Sequence, residues 1–459
     1  MFARKVEQEL LRWKSKTNRK PLIFRGARQT GKTTLVRKLG LQFEVFIELN
    51  LEKDRIRKIF SDVKDIKEIL KSIEVISNQR IIPNKTLLFL DEIQNSASAI
   101  KLLRYFYEEC PELHVIGAGS LLEVRMKSEG WSFPVGRVEF LYLYPLTFDE
   151  FLWVMGEDLL LKSLRELTVK GSLPTAVHHK LVDLLSDYME VGGMPEAVNE
   201  YLKSGSFISV KQCHETLISS FKEDFTKYSK GAEVEHLKLI WDRIPFEIGK
   251  RITYSKLSGA EVHSKELSKA FNILHEAMLV ERIFPTIQNH PPLIKKAKAS
   301  PKAIFLDVGL CTHVLHLTRD QIHERLIDPF TQGGLLETFV GQELLASDFY
   351  SRNTLFFWIR EEKGSSSELD FLVPFEKGLI PIEVKSGSHG SLKSLHQFLS
   401  RSMSHLGVRF YSHQQITLED HSVTLPTGTK LNYQLLSLPF YLTFRLFDIL
   451  TELKVEAKE

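Results

Sequence analysis

Residues 26 to 33 read GARQTGKT, which fits G-x-x-x-x-G-K-[ST] in full. The apolar run PLIFR precedes it and TTLVRKLG, with helical spacing, follows it. A glycine-rich turn between a strand and a helix presents backbone N–H groups and the helix N-terminus to phosphate oxygens. Gly26 and Gly31 let the backbone approach without an intervening side chain. The loop Gly26, Ala27, Arg28, Gln29, Thr30, Gly31, with Lys32, Thr33 and Thr34, is therefore the expected ATP-binding segment. Lys32 would neutralise the β and γ phosphates, and Thr33 would help hold Mg²⁺.

Such a loop needs a partner strand ending in acid. LLFLDE supplies it with Asp91, expected to organise Mg²⁺, and Glu92, expected to polarise the attacking water. Two further positions are expected to contribute. Ser120, after LHVIGAG, either faces the γ-phosphate from a neighbouring strand or caps the helix of LLEVRMK. Arg137 in PVGRVEF is either an arginine finger, acting within or between subunits, or a surface cation. An operating finger raises turnover by about 10³–10⁵.

Around these motifs the front of the chain alternates short apolar runs (EVFIELN, TLLFLDE, LHVIGAG, VEFLYLYPL) with helical stretches such as KLLRYFYEEC. That pattern predicts buried parallel strands with helical crossovers, a doubly wound α/β domain over residues 1–184. The chain is too long, at 459 residues, for one ordinary core. From 185 to 232 the pattern is helical, with Pro195 in a first helical turn after Gly192 and Gly193. Residues 233–310 read as helices followed by a strand, a basic loop and a returning strand, as in a winged helix. Leu267, Phe271, Leu274 and Met278 would form the buried face of its last helix. Lys265 and Lys269 on that helix, and Lys295, Lys296, Lys298 and Lys302 on the wing, are the expected DNA contacts. Docking of a protein partner on the same segment is the competing expectation.

The stretch SSSELDFLVPFEKGLIPIEVKSG, residues 365 to 387, predicts a hairpin around EKG within a rear domain spanning 311–459. Its register brings Asp370 opposite the neighbourhood of Glu383 and Lys385, which share one face of their strand. The helix GGLLETFVGQELLAS offers Glu337 as a fourth member. Two carboxylates about 4 Å apart repel by about 4 kcal/mol at an effective dielectric of 20. Lys385 relieves part of that, and a second Mg²⁺ or Mn²⁺ would relieve more.

Taken in order, RGARQTGKTTL, FLDEIQ, GSLLE, GRVEFLYLYPLTFDEFL, VGGMPEAV, FLDVGL, SELDF and IEVKSG resemble the prokaryotic AAA-superfamily ATPases with a conserved C-terminal domain of unknown function. The resemblance implies an AAA-type core, a winged-helix segment and a rear domain related to PD-(D/E)XK nucleases. The expected function is an ATP-hydrolysing protein whose nucleotide state positions the rear modules on DNA. An ATP-gated Mg-dependent nuclease and a regulatory switch that binds protein, or a second copy of itself, are the alternatives.

Composition bounds the rest. A net charge of +3 announces no global basic surface, so any nucleic-acid face must be local. Cys110, Cys213 and Cys311 are too dispersed for a disulfide framework or a zinc site, which suits a reducing compartment. The charged start MFARKVEQELLRWKSK has no signal-peptide core, and Pro439, Arg445 and Asp448 interrupt the apolar LLSLPFYLTFRLFDIL. A cytoplasmic protein with no membrane span is expected.

Overall fold

The computed structural model describes residues 2–61, 65–120, 122–169, 171–254, 257, 264–296, 298–327, 333–352, 354–362, 365–385 and 392–456. Two sheets organise it. The front sheet runs β2 (Val45–Asn50), β3 (Thr86–Asp91), β4 (His114–Ala118), β1 (Leu22–Gly26), β5 (Glu139–Leu143), all parallel. β3 and β4 are buried at every position, which is why TLLFLD and HVIGA read as continuous rather than alternating apolar runs. The expected doubly wound α/β front is present.

Five main helices follow, Thr175–Val191, Pro195–Ser204, Phe207–Tyr228, Ala232–Arg243 and Ser264–Glu276. Pro195 opens its helix, where the missing N–H costs nothing. Leu267, Phe271 and Leu274 are buried on one face of the last of these helices, while Met278, also buried, lies beyond the helix end in a turn at φ +59°. Of the shorter helices expected for a winged helix, residues 255–256 and 258–263 lie outside the described residues.

The rear sheet has eight strands. β6 (Val280–Thr286) and β7 (Lys302–Phe305) form its edge beside β8 (Phe356–Glu362), β9 (Ser365–Phe375), β10 (Gly378–Val384), β11 (Leu406–Tyr411), β13 (Lys430–Pro439) and β12 (Thr417–Thr424). The two strands expected to form a separate wing therefore belong to the rear sheet: β6 pairs in parallel with β8 while pairing antiparallel with β7. No sheet boundary falls at residue 310. The cause is physical, since a lone two-stranded ribbon is marginal in water and an adjoining strand satisfies its free edge. Residues 386 and 387, the end of the predicted hairpin stretch, lie outside the described residues.

A buried carboxylate fastens the parts together. Asp307 accepts from the N–H of Leu310 at 3.1 Å, capping the helix Val308–Val314, and from the N–H of Gly193 at 2.6 Å. The carbonyl of Gly193 in turn accepts from the Leu146 N–H at 2.7 Å, just beyond β5. A side chain at Gly193 would run into the Leu146 backbone, so only glycine fits between the two.

A second buried acid spans front and rear. Glu343, on the helix Gly334–Ala346, accepts from the Phe148 N–H at 2.9 Å, while its other oxygen is buried without a hydrogen-bond partner. Burial pushes this carboxyl up to about 8, against the pull of Lys5. A group whose folded pKa is raised gives stability that is whole below its free value and lost as pH rises through the folded one. Glu343→Gln should therefore gain on the wild type as pH climbs from about 5 to about 8.5. Melting temperatures across that range check it; parallel curves for the two proteins would count against the assignment.

Candidate functional site

β1 ends at Gly26 and the helix Lys32–Gly40 starts at Lys32, with Gly31 in the left-handed region at φ +99°. A side chain at Gly26 would collide with the carbonyl of Leu143 on β5, so the turn is confined by the neighbouring strand. Inside it, the Thr30 hydroxyl donates to the Ala27 carbonyl at 2.9 Å. Lys32 is buried and donates to the carbonyls of Gly26 at 2.8 Å and Ala27 at 2.6 Å. Burial lowers its pKa to about 8, with Glu92 and Asp91 opposing. Its ammonium thus rests on neutral loop carbonyls, weaker partners than an anionic oxygen would be.

The acidic strand lies where it was expected. Thr33 Oγ1 sits 3.3 Å from Asp91 Oδ1, and burial, then Glu92, push Asp91 up to about 6. A hydroxyl beside a carboxylate whose charge burial leaves poorly compensated suits a hard, oxygen-seeking cation, so the pair fits Mg²⁺. Glu92 is half-buried, has φ +53°, and accepts from the Gln94 side-chain amide. Ser120 follows β4 by two residues, and Ala118 of that strand is in register with both Phe24 and Asp91, so Ser120 lies on the loop's edge of the sheet. Thr34 is exposed on the helix.

Arg137 is placed elsewhere. β5 pairs Glu139 with Leu22 and Leu143 with Gly26, so Arg137 lies at the opposite end of the strands from the loop. It pairs with Glu108 at 2.7 Å. Within one chain it cannot reach the loop's phosphates, and only the between-subunit form of the arginine-finger expectation survives.

A contact the sequence reading missed ties the loop to the helical region. Arg28 pairs with the buried Asp224 on the helix Phe207–Tyr228, and the Gln29 amide reaches Ser220 Oγ at 3.4 Å. Asp224 also holds Lys227 at 2.9 Å. Nothing local marks Asp224, because its partner is nearly two hundred residues away.

The rear carboxylates converge as the hairpin register requires. Ile382 pairs with Phe371, which sets Glu383 opposite Asp370, and Asp370 Oδ2 accepts from the Val384 N–H at 2.8 Å. Lys385 Nζ lies 2.7 Å from Glu383 Oε1. Burial pushes Glu337 and Glu383 each up to about 8. Two members were not anticipated. Glu368 joins from β9, and its position two before Asp370 on one strand face could have signalled it. Lys302 joins from β7, its Nζ 2.6 Å from Glu337 Oε1, 2.8 Å from Glu368 Oε1 and 3.8 Å from Asp370 Oδ1. With 2% of its side chain exposed, Lys302 is no phosphate contact on a wing. Among the described residues, no group of three or more His, Cys, Asp or Glu side chains is arranged to hold a metal ion.

The remaining basic candidates lie on the helix Ser264–Glu276 and on the loop before β7. Lys269 pairs with Glu233 at 2.8 Å, Lys295 lies over the Phe284 ring at 4.2 Å, Lys265 and Lys298 are exposed and Lys296 is half-buried.

Comparison with known proteins agrees with the front half of this geometry. Residues 18–152 match the family model described as an AAA domain, and the front sheet with its loop is an AAA-type P-loop domain. Residues 182–321 match a domain of unknown function (DUF8612), and residues 332–436 match another (DUF4143). None of the curated proteins compared matches the chain. Among solved structures, the chain is similar to a Walker-type ATPase of Pyrococcus abyssi at 16% identity, with 69% of this chain and 96% of that chain covered and a TM-score of 0.43. It is also similar to the ORC2 protein of Aeropyrum pernix in ADPNP–ADP complexes, at 12% identity over 70% and 93% of the two chains, TM-score 0.31. Drosophila ORC bound to DNA is similar at 11% identity over 69% and 88%, TM-score 0.25. Among the described residues, no helix is long and apolar enough to cross a membrane.

Proposed function

We propose that the chain binds and hydrolyses ATP at the Gly26–Thr33 loop and uses the nucleotide state to reposition the helical and rear parts. The observation that carries the reading is the convergence of the buried Lys32 and Asp91 with the half-buried Thr33 at the C-terminal end of the front strands. The triphosphate would draw the Lys32 ammonium off the carbonyls of Gly26 and Ala27, since a charged acceptor is the stronger partner. Thr33 and Asp91 would hold Mg²⁺, which when bound supplies charge neutralisation at the β and γ phosphate oxygens. Glu92 would leave Gln94 to orient the attacking water, and Ser120 would donate toward the γ-phosphate. Positioning and charge, rather than covalent chemistry, are what such a site contributes.

Arg28 and Gln29 belong to the loop that receives the phosphates, and both contact the helix Phe207–Tyr228. Any shift of the loop on binding would therefore pull on that helix. The partner addressed by the moving parts is nucleic acid or protein; Lys265, Lys269, Lys295, Lys296 and Lys298 make up the DNA-facing set once the buried Lys302 is set aside.

Lys32→Ala should abolish ATP turnover, and normal turnover in that variant would overturn the reading. Glu92→Gln should keep nucleotide binding while lowering kcat by about 10²-fold or more, measured by fluorescent-nucleotide titration beside phosphate release. Asp224→Asn tests the coupling: ATP should change hydrogen exchange along Phe207–Tyr228 in the wild type and change it less in the variant. Equal changes in both would detach the helix from the nucleotide site.

A further inference from the structure

The rear cluster has the acids that the nuclease resemblance calls for, yet each of them already has a partner on at least one oxygen, although Glu383 Oε2 is buried without one. Glu337 Oε1 and Glu368 Oε1 receive the Lys302 ammonium at 2.6 and 2.8 Å, and Asp370 Oδ1 lies 3.8 Å from it. Glu368 Oε2 is held by Arg251 at 2.6 Å, Asp370 Oδ2 by the Val384 N–H at 2.8 Å, and Glu383 Oε1 by Lys385 at 2.7 Å. Four carboxylates are thus faced by three cations, all supplied by the chain itself.

The placement of Lys302 is imposed by the fold. It opens β7, where it pairs with Ile283 of β6 and bridges to Arg251, and its ammonium also lies 5.3 Å from the centre of the Phe357 ring. A lysine pinned at both backbone and ring has few ways to withdraw. Three donors on one nitrogen suit three acidic neighbours. A hard divalent ion needs about six oxygens at about 2.0–2.6 Å, and here the oxygens nearest the centre already receive an ammonium. Removing one charge of a buried, paired set is strongly unfavourable, so a metal would have to displace an ammonium that is buried among its acids.

We infer that the rear carboxylate cluster of this chain is not a divalent-metal centre, because the Lys302 ammonium stands permanently in the place of the cation. The cluster then serves as a charge knot that fastens β7 to the helix Gly334–Ala346 and to β9, and the chain does not cut nucleic acid by a metal-dependent route there. This inference is independent of the ATPase reading, since it involves none of the front-site residues.

The test is Mn²⁺ titration of the nucleotide-free full chain, followed by calorimetry and electron paramagnetic resonance, with Asp370→Asn in parallel. Wild type and Asp370→Asn should give superimposable isotherms up to about 1 mM, because any weak front-site binding is common to both. One Mn²⁺ bound by the wild type and lost in Asp370→Asn would overturn the inference. In the second arm, Lys302→Met should gain one Mn²⁺ site that Asp370→Asn removes again. A folded Lys302→Met, judged by circular dichroism, that gains no site would show that the lysine is not what excludes the metal, and that too would overturn it. Should Lys302→Met fail to fold, the comparison of wild type with Asp370→Asn decides alone.

Discussion

The arrangement rests on a single carboxylate placed where three parts of the chain meet. Asp307 accepts from Gly193 and Leu310, and Gly193 is itself clamped against Leu146 beyond β5. Burial pushes Asp307 up to about 6 while its backbone donors pull the other way, so the donors have to be in place for the charged form to be tolerated. That requirement is what locks the helical region in register with both the front sheet and the strand that precedes Asp307. Two glycines are forced by it: Gly192 takes φ +77° and Gly193 has no room for a side chain. The motifs VGGMPEAV and FLDVGL, far apart in sequence, are the two halves of this one joint.

Front and rear meet the same problem, carboxylates gathered away from water, in opposite ways. At the front, Asp91 is left short of positive charge, with a hydroxyl at 3.3 Å and a lysine turned toward loop carbonyls. Such a site stays receptive to an incoming cation and an incoming phosphate. At the rear, the acids are met by Lys302, Lys385 and Arg251, and little acceptor capacity is left over, chiefly the buried Glu383 Oε2. Receptivity and self-sufficiency are therefore distinguished by where the lysine points, a property of geometry that a motif does not carry.

This explains how far the sequence could be read. The phosphate loop, its acidic strand and the front sheet follow from local pattern, because a buried parallel strand and a glycine turn each leave a short-range signature. The rear hairpin was legible for a similar reason: its turn sets the register, and the register alone brings Asp370 opposite Glu383. What could not be read depends on distant pairing. The strand opened by Lys302 looks like a basic wing until β6 is seen to pair with β8, after which the same lysine is interior. The Arg28–Asp224 contact is equally silent in sequence, and Arg137 could be assigned an end of the sheet only once β5 was in register with β1.

An ammonium that arrives on the polypeptide is never scarce. Where a bound ion must be captured from the surroundings and can be stripped by a chelator or replaced by a rival, Lys302 is synthesised in fixed proportion to the acids it balances. On the inference drawn above, the rear carboxylate cluster needs no metal from its surroundings to balance its charge.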